Sequence, residues 1–357
     1  MRVVIAPDSF KGSITATAAA EALAAGWQSV RTNDELLTLP MADGGEGTLD
    51  AVIAARPGAT VHDVPRCTGP DGTPVTGRFA LLPDGTALVE LAIASGLPLM
   101  NGRLAPLTAT TRGTGEVIAA ALDAGATALT VALGGSASTD GGTGLLSALG
   151  LHVLDGSGAP LPDGGGALSS AVRLRDQLRP APAGGVRLLT DVTNPLLGVS
   201  GAAAVYGPQK GAGQAEIELL ERGLGRFAEL LGGDPSLPGT GAAGGTAYGL
   251  AAAWGAHIVP GAAALADLLH LDTHCTGADL VVTGEGRFDS TSLLGKTVGE
   301  VISRAERAGA PVRVVAGDST DEQALTLVGL AGSAADAQAR AGHWLYEAGA
   351  VLARDSC

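Results

Sequence analysis

Aromatic side chains are scarce in this chain of 357 residues, with three Trp, three Tyr and four Phe making up 3% of it. The core must be filled by small aliphatic side chains, because 46% of the residues are apolar and most of these are Ala, Leu and Val. Cysteine is rarer still. Cys67, Cys275 and Cys357 are odd in number and far apart, so no disulfide framework is suggested. Positive charge is also in deficit, with a formal net charge of −14 that disfavours nucleic acid and anionic membrane as partners. That acidity does not exclude a small anionic substrate, since glycine loops, lysines and a metal reverse the field locally. Long apolar runs are missing too. The longest stretch without Asp, Glu, Lys or Arg, Pro235–Ala266, is broken by Pro238, Pro260 and many glycines, so no membrane span is expected. The opening residues MRVVIAPDSFKG reach Asp8 after a few apolar positions and do not read as a signal peptide. A cytoplasmic location is expected.

Lysine is the most informative shortage. Three of the 22 basic side chains are Lys, at positions 11, 210 and 296, and the other 19 are Arg. Each lysine sits beside a glycine in a loop: SFKGS, PQKGA and LGKT. Lys is a compact charge suited to phosphate or to titration, so at least one of the three is expected to touch phosphate or substrate.

The remaining signal lies in glycine loops that follow short apolar strands. Leu129–Leu133 ends in Gly134-Gly135, passes Ser136, Ser138, Thr139 and Asp140, and meets Gly141-Gly142 before a helix. This is how an open α/β sheet presents a ligand crevice, with backbone amides and a helix N-terminus ready for an anion. The same plan occurs at Arg2–Ala6 followed by Pro7-Asp8-Ser9-Phe10-Lys11-Gly12, and at Glu35–Leu39 followed by Asp43-Gly44-Gly45-Glu46. Asp43 and Glu46 suit a metal or a substrate hydroxyl, or equally a helix cap. It returns at Arg187–Thr190 before Asp191, and at Asp279–Thr283 before Gly284-Glu285-Gly286-Arg287. From about Thr60 to Pro83 the texture changes to short antiparallel strands and turns, the entry to a second domain.

Three motif-like patterns fail on inspection. Gly239–Gly244 matches GxGxxG without a convincing strand before it, and reads as close helix packing or a ligand-side loop. Gly295-Lys296-Thr297 resembles part of a P-loop, but Ser290 stands where the first glycine is required. His270, His274 and Cys275 have helical spacing without a further soft ligand pair, so a helix end is expected in preference to zinc.

The runs APDSFKGS (6–13), PMADGGEGT (40–48), ELAIASGL (90–97), GTGEVIAAAL (113–122) and LGGSASTDGGTG (133–144) resemble the bacterial type-1 glycerate kinase family. So do DVTNPLLG (191–198), YGPQKGA (206–212), GAAGGTAYGL (241–250) and DLVVTGEGRFD (279–289), in the family's order. The resemblance implies ATP-dependent phosphorylation of D-glycerate, usually at the 2-hydroxyl, with Mg2+. It also implies two α/β domains, a flavodoxin-like one built from both chain ends (1–75 plus 265–357) and a second inserted at 76–264, with the active-site cleft between them. The chain departs from the family pattern at Thr139, Thr291, Val298 and Arg112.

A kinase needs a triphosphate cradle, a metal bridge, a clamp on the acceptor and a group that takes the hydroxyl proton. On this resemblance Asp191 is the expected base and Lys11 the catalytic cation. Asp43 and Glu285 are the metal candidates, and Arg287 the clamp on the substrate carboxylate. Asp8, Ser9, Gly134, Gly135, Ser136, Asp140, Asn194, Lys210 and Lys296 complete the substrate- or phosphate-binding set, with phosphate and glycerate both open for the Gly134 loop. The expected partners are D-glycerate and ATP, with neither nucleic acid nor membrane, in a monomer or homodimer. A kinase for another small hydroxy acid and a non-catalytic hydroxy-acid or nucleotide sensor are the alternatives.

Overall fold

The computed structural model describes residues 1–293 and 296–356. Leu294, Gly295 and Cys357, which include the glycine of the Gly-Lys-Thr run and the third cysteine, lie outside the described residues. In chain order the strands are β1 (Arg2–Ile5), β2 (Glu35–Thr38), β3 (Thr60–Thr68), β4 (Pro74–Leu81), β5 (Thr86–Glu90), β6 (Ala128–Ala132) and β7 (Leu151–Leu154). They continue as β8 (Arg173–Asp176), β9 (Val186–Leu189), β10 (His257–Val259), β11 (Leu280–Phe288), β12 (Val312–Ser319) and β13 (Leu325–Thr326). The chain divides into two units: residues 1–43, 50–57 and 260–357 form the first, and residues 44–49 and 58–259 the second.

The first unit carries a five-stranded sheet in the order β13-β12-β11-β1-β2, with every pairing parallel. Its central strands are apolar on both faces, as a parallel sheet covered by helices requires. The helices Ala16–Val30 and Ala341–Asp355 bury Leu23, Trp27, Leu345 and Ala348 in one cluster with Val3 and Ile5. Full burial of a side chain such as Leu23 contributes about 2 kcal/mol. Thr15 caps the first of these helices by accepting from the Ala18 amide at 3.3 Å. Strand order reverses between β1 and β11, the flavodoxin-like switch point at which such sheets bind ligands beyond their carboxyl ends.

The second unit carries a six-stranded sheet in the order β10-β9-β6-β5-β4-β3. Its β3, β4 and β5 are antiparallel neighbours, while β5, β6, β9 and β10 pair in parallel. The antiparallel texture expected over Thr60–Pro83 is therefore present. The ladder between β3 and β4 ties residues 58–75 to this unit, so an expected boundary after residue 75 falls inside β4. The strands β7 and β8 form a separate antiparallel ribbon.

One local expectation is corrected. The run Gly284–Phe288, read as a loop after the strand, continues β11 and pairs with β12 as far as Phe288 opposite Ser319. Its glycines mark close backbone approach, since a Cβ on Gly284 would lie 1.9 Å from the Val315 carbonyl oxygen. At Gly239–Gly244 the chain turns into the helix Ala242–Trp254, and no dinucleotide fingerprint forms because no strand leads into it. His270 occupies the left-handed N-cap of the helix Leu271–Cys275, and its Nε2 lies 2.6 Å from Arg56 Nη1.

Candidate functional site

In the first unit, three neighbouring parallel strands deliver carboxylates at their carboxyl ends: Asp8 after β1, Asp43 after β2 and Glu285 in the last part of β11. The Asp8 amide donates to the Gly284 carbonyl at 2.8 Å, which seats it beside β11, and its own Oδ1 accepts from the Ser9 amide at 2.6 Å. Burial pushes the Asp8 carboxyl up to about 6, opposed by the Thr297 hydroxyl and the Ser9 amide and helped by the charges of Asp43 and Glu285. Burial likewise raises Glu285, opposed by the Ser292 hydroxyl and Lys296. Its Oε1 is buried without a hydrogen-bond partner.

The three candidate cations of this unit are accessible. Lys11 is exposed in the turn closed by the Phe10 amide on the Ile14 carbonyl, and Lys296 is exposed at the N-cap of the helix Thr297–Arg307. Arg287 leaves β11 with its side chain 75% exposed, 3.9 Å from Asp289. Oxygen donors such as Asp8, Asp43 and Glu285 suit a hard divalent cation. Among the described residues no three His, Cys, Asp or Glu side chains form a protein-only metal cage. Mg2+ needs none, because it keeps waters and phosphate oxygens as ligands. The orphaned Glu285 oxygen and the orphaned Thr297 hydroxyl are consistent with such an ion.

In the second unit, β6 ends against a second glycine pair. The Gly134 amide donates to the Gly44 carbonyl at 3.0 Å, and a Cβ on Gly134 would lie 2.3 Å from the Gly45 Cα. Gly134 must be glycine for these backbones to meet, and Gly44 must be glycine to sit against Leu189, whose Cβ would lie 2.8 Å from an added Cβ. The side chain of Glu90 accepts from the amides of Gly47 (3.1 Å) and Leu49 (2.9 Å), which fixes the following loop.

Beyond Gly135 the loop turns inward. Asp140 is fully buried and accepts from the Thr111 amide at 3.0 Å, the Thr111 hydroxyl at 2.8 Å, and the amides of Gly142 and Gly144. Burial raises its pKa, and these four donors oppose the rise. Lys210 is 2% exposed and donates to Ser136 Oγ at 2.9 Å and to the Ser138 carbonyl. Burial brings its ammonium down to about 8, with Asp140 opposing. Lys210 and Asp140 thus spend their polar atoms on the loop. Asn194 is likewise engaged, donating to the Ser200 carbonyl at 2.8 Å and accepting from Tyr206 Oη at 2.7 Å. Asp191 follows β9 and is half-buried at its carboxyl end.

The structure thus gathers Asp8, Ser9, Asp43 and Glu285 in one unit, and Gly134, Gly135, Ser136, Asp140 and Lys210 in the other. Three residues escaped the sequence reading. Thr297 was passed over because the Gly-Lys-Thr run fails as a P-loop, although its place after Lys296 was the available signal. Glu90 and Thr111 sit at the edges of quoted runs, and only tertiary contacts show which backbone amides and carboxylates they meet.

Three of the four departures from the family pattern are engaged by neighbouring residues. Arg112 holds Asp163 with both arms, at 2.6 and 2.7 Å, and reaches Ser147 Oγ at 3.2 Å. Thr291 closes a turn on Asp289, and Val298 packs with Phe288 and Ala316. Thr139 is fully buried, with its hydroxyl left without a hydrogen-bond partner.

The model of the glycerate kinase family matches residues 3–344 of the chain. Glycerate 2-kinase of Escherichia coli K12 is 40% identical over 338 residues, covering 90% of this chain and 86% of that protein. Glycerate kinase of Bacillus subtilis 168 is 42% identical over 338 residues, covering 91% and 87%. A crystal structure from Salmonella typhimurium LT2, assigned as glycerate kinase 2, superposes with a TM-score of 0.86 at 36% identity. That match covers 100% of this chain and 98% of the other. The chain belongs to the glycerate kinase family.

Proposed function

We propose that this kinase transfers the γ-phosphoryl group of ATP to the 2-hydroxyl of D-glycerate, giving 2-phosphoglycerate and ADP, in the cytoplasm. The observation that carries this reading is the set of three carboxylates at the ends of β1, β2 and β11, flanking the switch point of a parallel sheet. The named activity of the Escherichia coli relative supports the 2-position.

In this reading Asp43 and Glu285 hold Mg2+, which offsets triphosphate charge and draws charge off the transferring group. Lys11, exposed in its turn, neutralises a phosphate oxygen, and Lys296 adds charge at a helix N-terminus. Arg287, whose guanidinium faces solvent, grips the glycerate carboxylate with two parallel hydrogen bonds. Asp191 takes the proton from the acceptor hydroxyl. An ordinary carboxylate suffices there, because phosphoryl transfer depends chiefly on positioning and electrostatics. The exposed Gly135 marks where an anion reaches the backbone of the β6 loop. Lys210 acts from behind, holding Ser136 and the Ser138 carbonyl in place. Because Arg112 and Thr291 are engaged with Asp163 and Asp289, neither points to a different acceptor.

NMR of the product formed from D-glycerate, ATP and Mg2+ tests the proposal. Phosphorus on the 2-oxygen supports it. Phosphorus on the 3-oxygen refutes the regiochemistry, and ligand binding without ATP consumption would identify a sensor instead.

A further inference from the structure

The side chain of Thr297 has no structural task. It opens the helix Thr297–Arg307, it is 1% exposed, and its Oγ1 is buried without a hydrogen-bond partner. A buried hydroxyl left unmatched is unfavourable, so such an atom calls for an explanation. Capping is not one, because Lys296 occupies the N-cap and no side chain closes that end. Nor is local disorder of packing, because the adjoining Val298 is locked in an apolar cluster with Phe288 and Ala316, and Val301 is fully buried.

The Thr297 hydroxyl instead lies near Asp8, where it favours the charged carboxylate and opposes the rise in that carboxyl's pKa, although outside ordinary hydrogen-bond geometry. A second orphaned atom, Glu285 Oε1, belongs to a carboxylate that also acts on Asp8. Two unpartnered buried oxygens beside a strand-end carboxylate lack a positive ligand. A bare phosphate would meet repulsion from Asp8, Asp43 and Glu285, whereas a divalent cation would be attracted and could then carry phosphate to the helix N-terminus. A hydroxyl at the first turn of a helix, next to an aspartate on a neighbouring strand, is a general way to hold Mg2+ on a nucleotide. Here that pairing arises without the P-loop spacing, since Ser290 replaces the required glycine.

We infer that Thr297 is a metal-ligating residue, its hydroxyl joining the Asp8 carboxylate in a divalent-cation site at the amino end of the helix Thr297–Arg307. The inference rests on the proposed Mg2+-dependent kinase function and adds two ligands to it.

Mn2+ is the probe, with the free ion followed by electron paramagnetic resonance on the full chain, with and without ATP. Thr297→Val keeps the shape and removes the oxygen, and is expected to weaken Mn2+ binding about tenfold or more. Thr297→Ser keeps the oxygen and is expected to bind within about threefold of the unaltered chain, on the same scale of ligand loss. Asp8→Asn is expected to weaken binding as Thr297→Val does. Equal Mn2+ affinity for Thr297→Val and the unaltered chain overturns this inference alone. Weakening by both Val and Ser variants overturns it as well, since the oxygen would then not be what matters. No Mn2+ binding by the unaltered chain, with or without ATP, overturns it together with the metal part of the proposed function.

Discussion

The two units hold their candidate site residues differently. In the first, Lys11, Lys296, Arg287 and Asp43 are exposed, and the more buried Asp8 and Glu285 keep high pKa values, Glu285 with an oxygen unmatched. In the second, Asp140 and Lys210 are buried and committed to loop atoms, and Asn194 is satisfied by Ser200 and Tyr206. A polar group satisfied by its own fold builds the site, whereas one left unmatched or exposed is available to a ligand. By that criterion the first unit offers Glu285 and Thr297 with the exposed Lys11, Lys296 and Arg287, and the second offers the buried, unmatched hydroxyls of Ser138 and Thr139. The second ties its glycine loop down through Asp140 and Lys210 and carries Asp191 at the end of β9.

The largest test of this contrast is Asp191→Asn, which is expected to lower kcat about a thousandfold with the melting temperature unchanged, as loss of a general base does. Turnover within a few-fold of normal, measured by coupled ADP release, would remove Asp191 from the chemistry. Lys210→Met should act through the fold. Losing the buried hydrogen bonds from Lys210 to Ser136 and to the Ser138 carbonyl is expected to cost about 2 kcal/mol of stability in urea unfolding. If that variant unfolds like the parent and only KM for ATP or glycerate rises, Lys210 faces substrate and the contrast fails.

A methyl on Gly284 is expected to cost about 2 kcal/mol by forcing β11 off β12, again read by denaturation. Asp8→Asn should go the other way. The Asp8 carboxyl has a higher pKa folded than unfolded, so it favours the native state below about pH 4 and loses that contribution as pH rises through about 6. The metal-free variant is therefore expected to be about 1 kcal/mol more stable than the parent at pH 8, the advantage vanishing toward pH 4. Arg287→Ala should be the mildest for the fold, within about 0.5 kcal/mol, because its side chain faces water. Its effect belongs in KM for glycerate.

Much of this was legible in the chain. The strands β1, β2, β6 and β9 are short apolar runs ending in glycine or Asp, and their loops carry most of the candidate side chains. What escaped was set by partners distant in sequence. Nothing local to PQKGA says that Lys210 points inward, because Ser136 and Ser138 lie some seventy residues earlier, 74 and 72 respectively. Glycine misled at Gly284, where tight pairing with Val315, not a turn, is the reason for it. Thr297 was hidden by a motif test that asks for spacing, whereas the unmatched hydroxyl beside Asp8 is a property of folded geometry.

The central claim is that this glycerate kinase family member phosphorylates D-glycerate at the 2-hydroxyl. Phosphorus NMR of a reaction of the full chain with D-glycerate, ATP and Mg2+ tests it most directly. The expected result is one new phosphomonoester resonance coupled to the proton on carbon 2, rising with the signals of ADP. A resonance coupled to the carbon 3 protons, or unchanged ATP, would contradict it.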